Sequence, residues 1–234
     1  MPDSSPKTVL IVGASRGLGY AMAEEYGKRG WRVIGTVRGD RRTPLHDLQA
    51  RSGGQVEIEQ LDINIPEQVA ALKGRLAGRS LDLLFVNSGI SGEHPEALVS
   101  EVSTEEFTEV MVTNALSPMR VVEALQHLVP PTGVIGVMSS GLGSVANNTN
   151  ARYETYRASK ASLNTFMRSF AARHAQSPRA MAVIEPGWVR TDLGGPHAPL
   201  GVEDSIPKVV DVLTAIQGKP GLQYLDYQGH TVPW

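Results

Sequence analysis

The 234 residues carry 41% apolar side chains, a formal net charge of −2 and no cysteine. That balance gives the chain a substantial core and excludes disulfides, thiolate metal sites and a cysteine nucleophile. No basic block exceeds a few residues, no apolar run reaches membrane-spanning length and residues 1–6 are polar and proline-bearing, so the sequence predicts a cytoplasmic protein whose partner is a small molecule, not a nucleic acid or a membrane.

Thr8–Val12 is a β-branched apolar run of the kind that forms a strand buried on both faces. It runs into Gly13-Ala14-Ser15-Arg16-Gly17-Leu18-Gly19, and helical spacing follows over 20–29. Strand, glycine loop and helix in this order let backbone N–H groups approach a phosphate at the positive end of the helix. A second strand at Arg32–Val37 is followed by Arg38, where a dinucleotide-binding fold chooses between a free ribose hydroxyl and a 2′-phosphate. An arginine there favours the phosphate, Arg16 is a second cation that approaches it, and NADP(H) is expected over NAD(H). In the rival reading Asp40 holds a ribose hydroxyl and Arg38 is solvated.

The alternation continues. A short helix at Pro44–Arg51 leads to a strand at 56–61 closed by Asp62; a helix begins at Pro66, and a strand at 81–86 ends in Asn87-Ser88-Gly89. Ser103-Thr104-Glu105-Glu106 has the form of a capping box opening a long helix with Asn114 and Pro118 inside it, where the proline should cause a kink. Val134–Met138 reads as a strand entering Ser139-Ser140-Gly141, and a glycine- and asparagine-rich loop leads to a helix carrying Tyr156, Lys160, Leu163, Met167 and Phe170. Strand 182–184, an irregular segment to about residue 201, a helix over 203–217 and a strand near 223–227 complete the chain. The pattern predicts one domain over residues 1–234, a doubly wound parallel α/β sheet of Rossmann type with helices on both faces and ligands at the carboxyl ends of its strands.

Tyr156 and Lys160, four residues apart, share one helix face. A phenol that exchanges a proton near neutral pH must be acidified, and moving it from about 10 to about 7 takes roughly 4 kcal/mol. A neighbouring ammonium contributes, and a second positive charge, such as a nicotinamide ring, has to supply the rest. The bland reading of the pair is a solvated helix face.

Taken together, the glycine loop, the Asn87-Ser88-Gly89 turn and Tyr156-Arg157-Ala158-Ser159-Lys160 resemble the short-chain dehydrogenase/reductase family over essentially the whole chain. Pro186-Gly187-Trp188-Val189-Arg190-Thr191-Asp192 and Tyr224-Leu225-Asp226-Tyr227 are similar to its sniffer-like carbonyl reductase and C-factor branch. Ser88 departs from the family's usual alanine and adds a hydroxyl near the cofactor. The resemblance implies hydride transfer between a nicotinamide and a carbonyl or alcohol. It makes Tyr156 the general acid, Lys160 the residue that lowers the tyrosine pKa, Ser140 the donor to the substrate oxygen and Asn114 the holder of a relay water. It also implies cofactor contacts from Gly13, Ser15, Arg16, Gly17, Leu18 and Gly19, from Arg38 at the 2′-phosphate, from Asp62 and Ile63 at the adenine, from Asn87, Ser88 and Gly89 with Tyr156 and Lys160 at the ribose, and from Pro186, Gly187, Val189 and Thr191 at the nicotinamide. Trp188 and Tyr153 are candidates for the substrate pocket, and a homodimer built on the two long helices is expected.

Two rivals remain open. Gly13-Ala14-Ser15-Arg16-Gly17 also fits a Gly-x-Ser-x-Gly nucleophile elbow, with His197 and His230 as partners by position only. A dinucleotide-binding signalling protein that turns over little is the other. The six histidines show no metal-ligand spacing, so no metal is expected.

Overall fold

The computed structural model describes residues 6–234; of the polar start, residues 1–5 lie outside the described residues. Seven parallel strands form one sheet in the order β3-β2-β1-β4-β5-β6-β7. In chain order the elements are β1 (Thr8–Val12), α1 (Gly17–Lys28), β2 (Arg32–Val37), α2 (Pro44–Arg51), β3 (Val56–Gln60), α3 (Pro66–Arg75), β4 (Leu83–Val86), α4 (Thr104–Met111), a π-helical turn (Val112–Leu116), α5 (Ser117–Leu125), a 3-10 turn (Gln126–Leu128), β5 (Val134–Met138), a second 3-10 turn (Gly141–Gly143), α6 (Glu154–Arg173), β6 (Ala180–Glu185), α7 (Val202–Ala215) and β7 (Gly221–Asp226). The expected doubly wound α/β sheet is present.

Strand parity explains the two faces. Leu10 and Val12 of β1 point into one core with Leu84, Val86, Ile135 and Val137, under α3, α5 and α6. Val9 and Ile11 point the other way, with Val33, Leu83, Phe85 and Val134, under α1, α2 and α7. Alternate side chains leave opposite faces of a strand, and both faces of the central strands are covered, so β1, β4 and β5 read as apolar runs, whereas the edge strands β3 and β7 are mixed and only partly buried. Each fully buried Leu, Val or Phe contributes about 1.5–3 kcal/mol of transfer free energy.

Strand ends shift from their expected places for local reasons. The strand expected from Leu81 starts at Leu83: the Leu81 N–H donates to Leu128 O and the Asp82 carboxylate accepts the Thr8 N–H, while the Asp82 backbone already joins the ladder through the Thr8 carbonyl and the Val134 N–H. At the other end Asp226 accepts the N–H groups of Gln228 and His230, turning the chain before Tyr227 can extend β7.

The long helix expected from Ser103 is interrupted. Ser103 caps α4 by accepting the Glu106 N–H, but the Glu106 carboxylate is drawn away to the backbone and ring of His94, so only half of the capping box forms. The kink expected at Pro118 appears upstream as the π turn around Asn114. Proline has no N–H to offer the carbonyl four residues back, which here belongs to Asn114, and the Ser117 N–H reaches the Val112 carbonyl five residues back.

The order in which strands join the sheet reverses between β1 and β4: β2 and β3 lie to one side and β5, β6 and β7 to the other. A crevice therefore opens at the carboxyl ends of β1 and β4, where Gly13 and Asn87 stand.

Candidate active site

The glycine loop hangs between two strands. The N–H of Gly13 donates to Thr36 Oγ1 at 2.9 Å, and Asn87 Nδ2 donates to the Gly13 carbonyl at 2.9 Å. Gly13 has φ +86°, and a Cβ there would lie 2.3 Å from Ser88 Oγ; one on Gly19 would lie 2.1 Å from the Gly13 carbonyl oxygen. These positions are therefore closed to any side chain. The first turn of α1 has no side-chain cap and no acidic residue, so its N–H groups and the positive end of its dipole are open to an anion. Leu18 packs on the core beneath. Ser15 makes no side-chain hydrogen bond to a histidine among the described residues, and His230 pairs instead with Asp226, so the elbow reading finds no partner for its serine.

Arg38, exposed beyond β2, has no ion pair or side-chain hydrogen bond among the described residues. Asp40, its rival, accepts a hydrogen bond from Gln60 Nε2 at 3.2 Å. Arg16 has a carboxylate partner of its own: its guanidinium pairs with Asp192, and both side chains are largely exposed. Asp62 Oδ1 accepts the Asn64 N–H at 2.9 Å, an Asx turn that uses one of its oxygens, and Ile63 is buried beside it.

The second corner lies at the end of β5. On α6 the buried face runs Tyr156, Ser159, Lys160, Leu163, Asn164, Met167 and Phe170, a 3.6-residue stripe whose first half is polar. Lys160 is 3% exposed; its Nζ donates to the Met138 carbonyl at 3.0 Å and sits 5.7 Å from the centre of the Tyr156 ring. A Cβ on Gly89 would stand 3.2 Å from both Lys160 Nζ and Asn114 Oδ1, so the Asn87-Ser88-Gly89 turn, α6 and the π turn meet at one point. Asn114 is fully buried: its Oδ1 accepts the Ile90 N–H, and its Nδ2 donates to Ile90 O and to Ser159 Oγ. The Ser88 hydroxyl turns back to the Val12 carbonyl.

The serine doublet divides as alternation requires. Ser139 Oγ donates to Asn164 Oδ1 at 2.7 Å and is buried. Ser140 stands beside the Tyr156 phenol and accepts the Leu142 N–H on its Oγ at 3.2 Å.

The acidification of Tyr156 was expected with a nicotinamide charge beside it; in the protein by itself the phenol stands above its ordinary value. Burial pushes the phenol up to about 12; the Ser140 hydroxyl pulls it down and Tyr224 adds to the rise, but burial dominates. Burial also lowers Lys160 to about 8. Spacing along a helix shows that two groups are neighbours, but not that both are out of water, where the phenolate and the ammonium are each disfavoured.

The segment after β6 closes over the glycine loop. Gly187 has its N–H on Glu185 Oε1 at 2.9 Å, Val189 is buried and bridges to Leu200, and Thr191 Oγ1 accepts the Gly194 N–H at 3.0 Å. Pro186 takes the Ser205 hydroxyl on its carbonyl. Trp188 is 56% exposed with its indole N–H on Gly194 O, and Tyr153, at φ +59°, donates to Glu96. The sequence reading gave no site role to Asn164, Glu185 or Tyr224, the last named only within a motif of the resemblance, and these three hold the segment after Met138. Asn164 had left a trace, a polar residue on a face that is otherwise apolar beyond Lys160.

What such a crevice serves is redox chemistry on a bound dinucleotide, and the class is that of the dinucleotide-dependent α/β oxidoreductases. A family model described as short chain dehydrogenase matches residues 7–199, and the chain belongs to that family. A Burkholderia multivorans structure described as a short-chain dehydrogenase/reductase with bound NADP is 60% identical, with TM-score 0.97, covering 98% of this chain and 100% of that one. The carbonyl reductase Sniffer of D. melanogaster is 26% identical with TM-score 0.88 over 98% of this chain and 100% of its own. C-signal of Myxococcus xanthus is 32% identical over 156 residues, 66% of this chain and 93% of that protein. Both likenesses agree with the branch expected from the sequence.

Proposed function

We propose that the chain, as one domain, reduces an aldehyde or ketone to an alcohol, or runs the reverse, using NADPH in preference to NADH. The observation that carries this reading is the buried Tyr156 phenol with Ser140 beside it and Lys160 5.7 Å from its ring. The cofactor fits the residues present: the uncapped first turn of α1 and the side-chain-free Gly13 and Gly19 leave room for a pyrophosphate, and Arg38 is available for a 2′-phosphate. Asp62 and Ile63 would border the adenine, Asn87, Ser88 and Gly89 the ribose, and Pro186, Gly187, Val189 and Thr191 the nicotinamide. Bound NADPH supplies the hydride. Ser140, whose oxygen accepts the Leu142 N–H and whose proton faces the Tyr156 phenol in the protein by itself, turns that proton to the carbonyl oxygen as charge grows there. Tyr156, held protonated by burial, delivers the proton to that oxygen. Lys160 restores it through a relay, in which the Asn114 amide is fully engaged and the Asn114 carbonyl, deprived of an α-helical donor by Pro118, is the group left to hold a water.

NADPH absorbance followed over a panel of aldehydes and ketones tests the reading, and turnover of at least one is expected. Tight NADPH binding with no turnover would favour the second reading, a C-signal-like protein, which the 32% identity supports. The intact Ser140, Tyr156 and Lys160 speak for the enzyme. Lack of cysteine suits a reducing cytoplasm. Phe107, Leu116 and Phe166, exposed on α4, the π turn and α6, support a homodimer on those helices, and light scattering at micromolar concentration should give twice the chain mass.

A further inference from the structure

The segment from Ser139 to Gly143 carries the serine hydroxyl that the proposed reaction needs, and it is not a strand. It leaves β5 after one last ladder bond, from the Ser139 N–H to the Ile184 carbonyl, and turns through a single 3-10 turn of three residues, Gly141–Gly143, so beyond Ser139 the sheet ladder does not fix it. Side chains from three other elements do. From α6, Asn164 Nδ2 donates to the Gly143 carbonyl at 3.1 Å while its Oδ1 takes the Ser139 hydroxyl. From the end of β6, Glu185 lies against Gly141, where an added Cβ would meet its Cγ at 3.3 Å. From β7, the phenol of Tyr224 donates to the carbonyl of Ser140 itself.

Tyr224 is suited to that task. It is 1% exposed, its ring lies 5.2 Å from that of Trp234, and Ala146, beyond the 3-10 turn, donates its N–H to the Trp234 carbonyl. The phenol therefore approaches Ser140 from a strand that is itself braced on the far side of the same loop. Packing alone would accept a phenylalanine. A buried hydroxyl is retained at little cost only where it finds a partner, and its partner here is the backbone of the residue beside Tyr156.

We infer that Tyr224 is a positioning residue for the proposed carbonyl reduction, holding the Ser140 backbone so that the Ser140 hydroxyl stays aimed at the substrate oxygen and the Tyr156 phenol. The inference rests on the reaction proposed above. It assigns to β7, which lies outside the residues matched by the family model, a direct hold on the reacting corner. Burial keeps the Tyr224 phenol protonated, up at about 12, with Glu185 adding to the rise and Asn164 and Ser139 opposing it, so the hold persists at every working pH. The charged or titratable groups facing Tyr156 are Lys160 from its own helix and Tyr224 from β7; Ser140 faces it as a neutral donor.

Tyr224→Phe keeps the ring against Trp234 and removes only the hydroxyl. The expected result is a kcat about tenfold lower, the size of one lost hydrogen bond, with the dissociation constant for NADPH by fluorescence unchanged. Because Ser140 lowers the Tyr156 pKa, a misplaced Ser140 should move the pH limb of alcohol oxidation upward by roughly half a unit or more; a direct charge effect of Tyr224 would move it down. In the background of Ser140→Ala, adding Tyr224→Phe should cost nothing further. Full kcat and an unmoved limb, additive losses in the double variant, or failure of Tyr224→Phe to fold and bind NADPH would each overturn the inference and leave Tyr224 a packing residue. NMR titration of ring-labelled tyrosine in the NADP+ complex, with the Tyr156 signal assigned by Tyr156→Phe, reads the same shift without turnover. An absence of carbonyl reduction in the wild type thus counts against the proposed reaction, whereas an unmoved Tyr156 signal counts against Tyr224.

Discussion

Around Gly13 the crevice is shaped by side chains that are missing, whereas around Ser140 it is shaped by side chains that are all in use. The glycine end presents backbone N–H groups, an uncapped helix and an exposed Arg38. The serine end buries Asn114, Ser159, Lys160, Asn164, Ser139 and Tyr224, with their polar atoms bonded to one another or to carbonyls. A site made of backbone is damaged by adding atoms and a site made of side chains by removing them. The first selects a ligand by shape and charge, and the second holds a few atoms in register.

The strongest way to break the comparison is to delete the oxygen that delivers the proton. Tyr156→Phe should lower kcat by roughly a thousandfold with little change in NADPH affinity; single-turnover absorbance checks it, and a residual rate near wild type would remove the phenol from the reaction. The neighbouring doublet sharpens the test. Ser140→Ala should cost on the order of a hundredfold in kcat, and Ser139→Ala much less, because the Ser139 hydroxyl is spent on Asn164. Equal losses would mean that the corner is sensitive as a block and not atom by atom.

At the other end the effects should fall on binding. Arg38→Asp should reverse the preference for NADPH over NADH, shifting the ratio of kcat/KM values by about ten- to a hundredfold, the worth of charge-assisted bonds to a phosphate. Gly19→Ala puts a methyl group where the Gly13 carbonyl stands. It should cost about 1–3 kcal/mol of stability and weaken NADPH binding, with kcat at saturation nearly preserved; thermal melting and fluorescence titration measure the two. A large fall in kcat instead would show that the two ends are coupled.

The sheet was legible because its central strands are buried on both faces, and runs such as Thr8–Val12 and Val134–Met138 admit few other readings. Tyr156 and Lys160 were legible because helix periodicity places residues four apart on one face. Burial was not, and it raises the Tyr156 phenol in the protein by itself. Partners distant in sequence were hidden too: Arg16 meets Asp192 across 176 positions, and Tyr224 meets Ser140 across 84. Only the fold sets such distances. The interruption before Pro118 was readable from the proline, but its π geometry was not, since a missing N–H says that a bond is lost and not how the chain repairs the loss.

That repair makes the helix pair α4–α5 intolerant of a change in length. A π turn carries one residue more than the α-helical turn it replaces, and each residue of an α-helix turns it by about 100°. Removing any single residue from Val112–Leu116 would straighten the helix and rotate one side of it against the other. Either Val121, Val122 and Leu125 would leave the core, or Asn114 would lose Ile90 and Ser159. Substitutions at the flanking surface positions change one side chain at a time, but a one-residue deletion here forces a choice between a packed sheet and the Asn114 clamp.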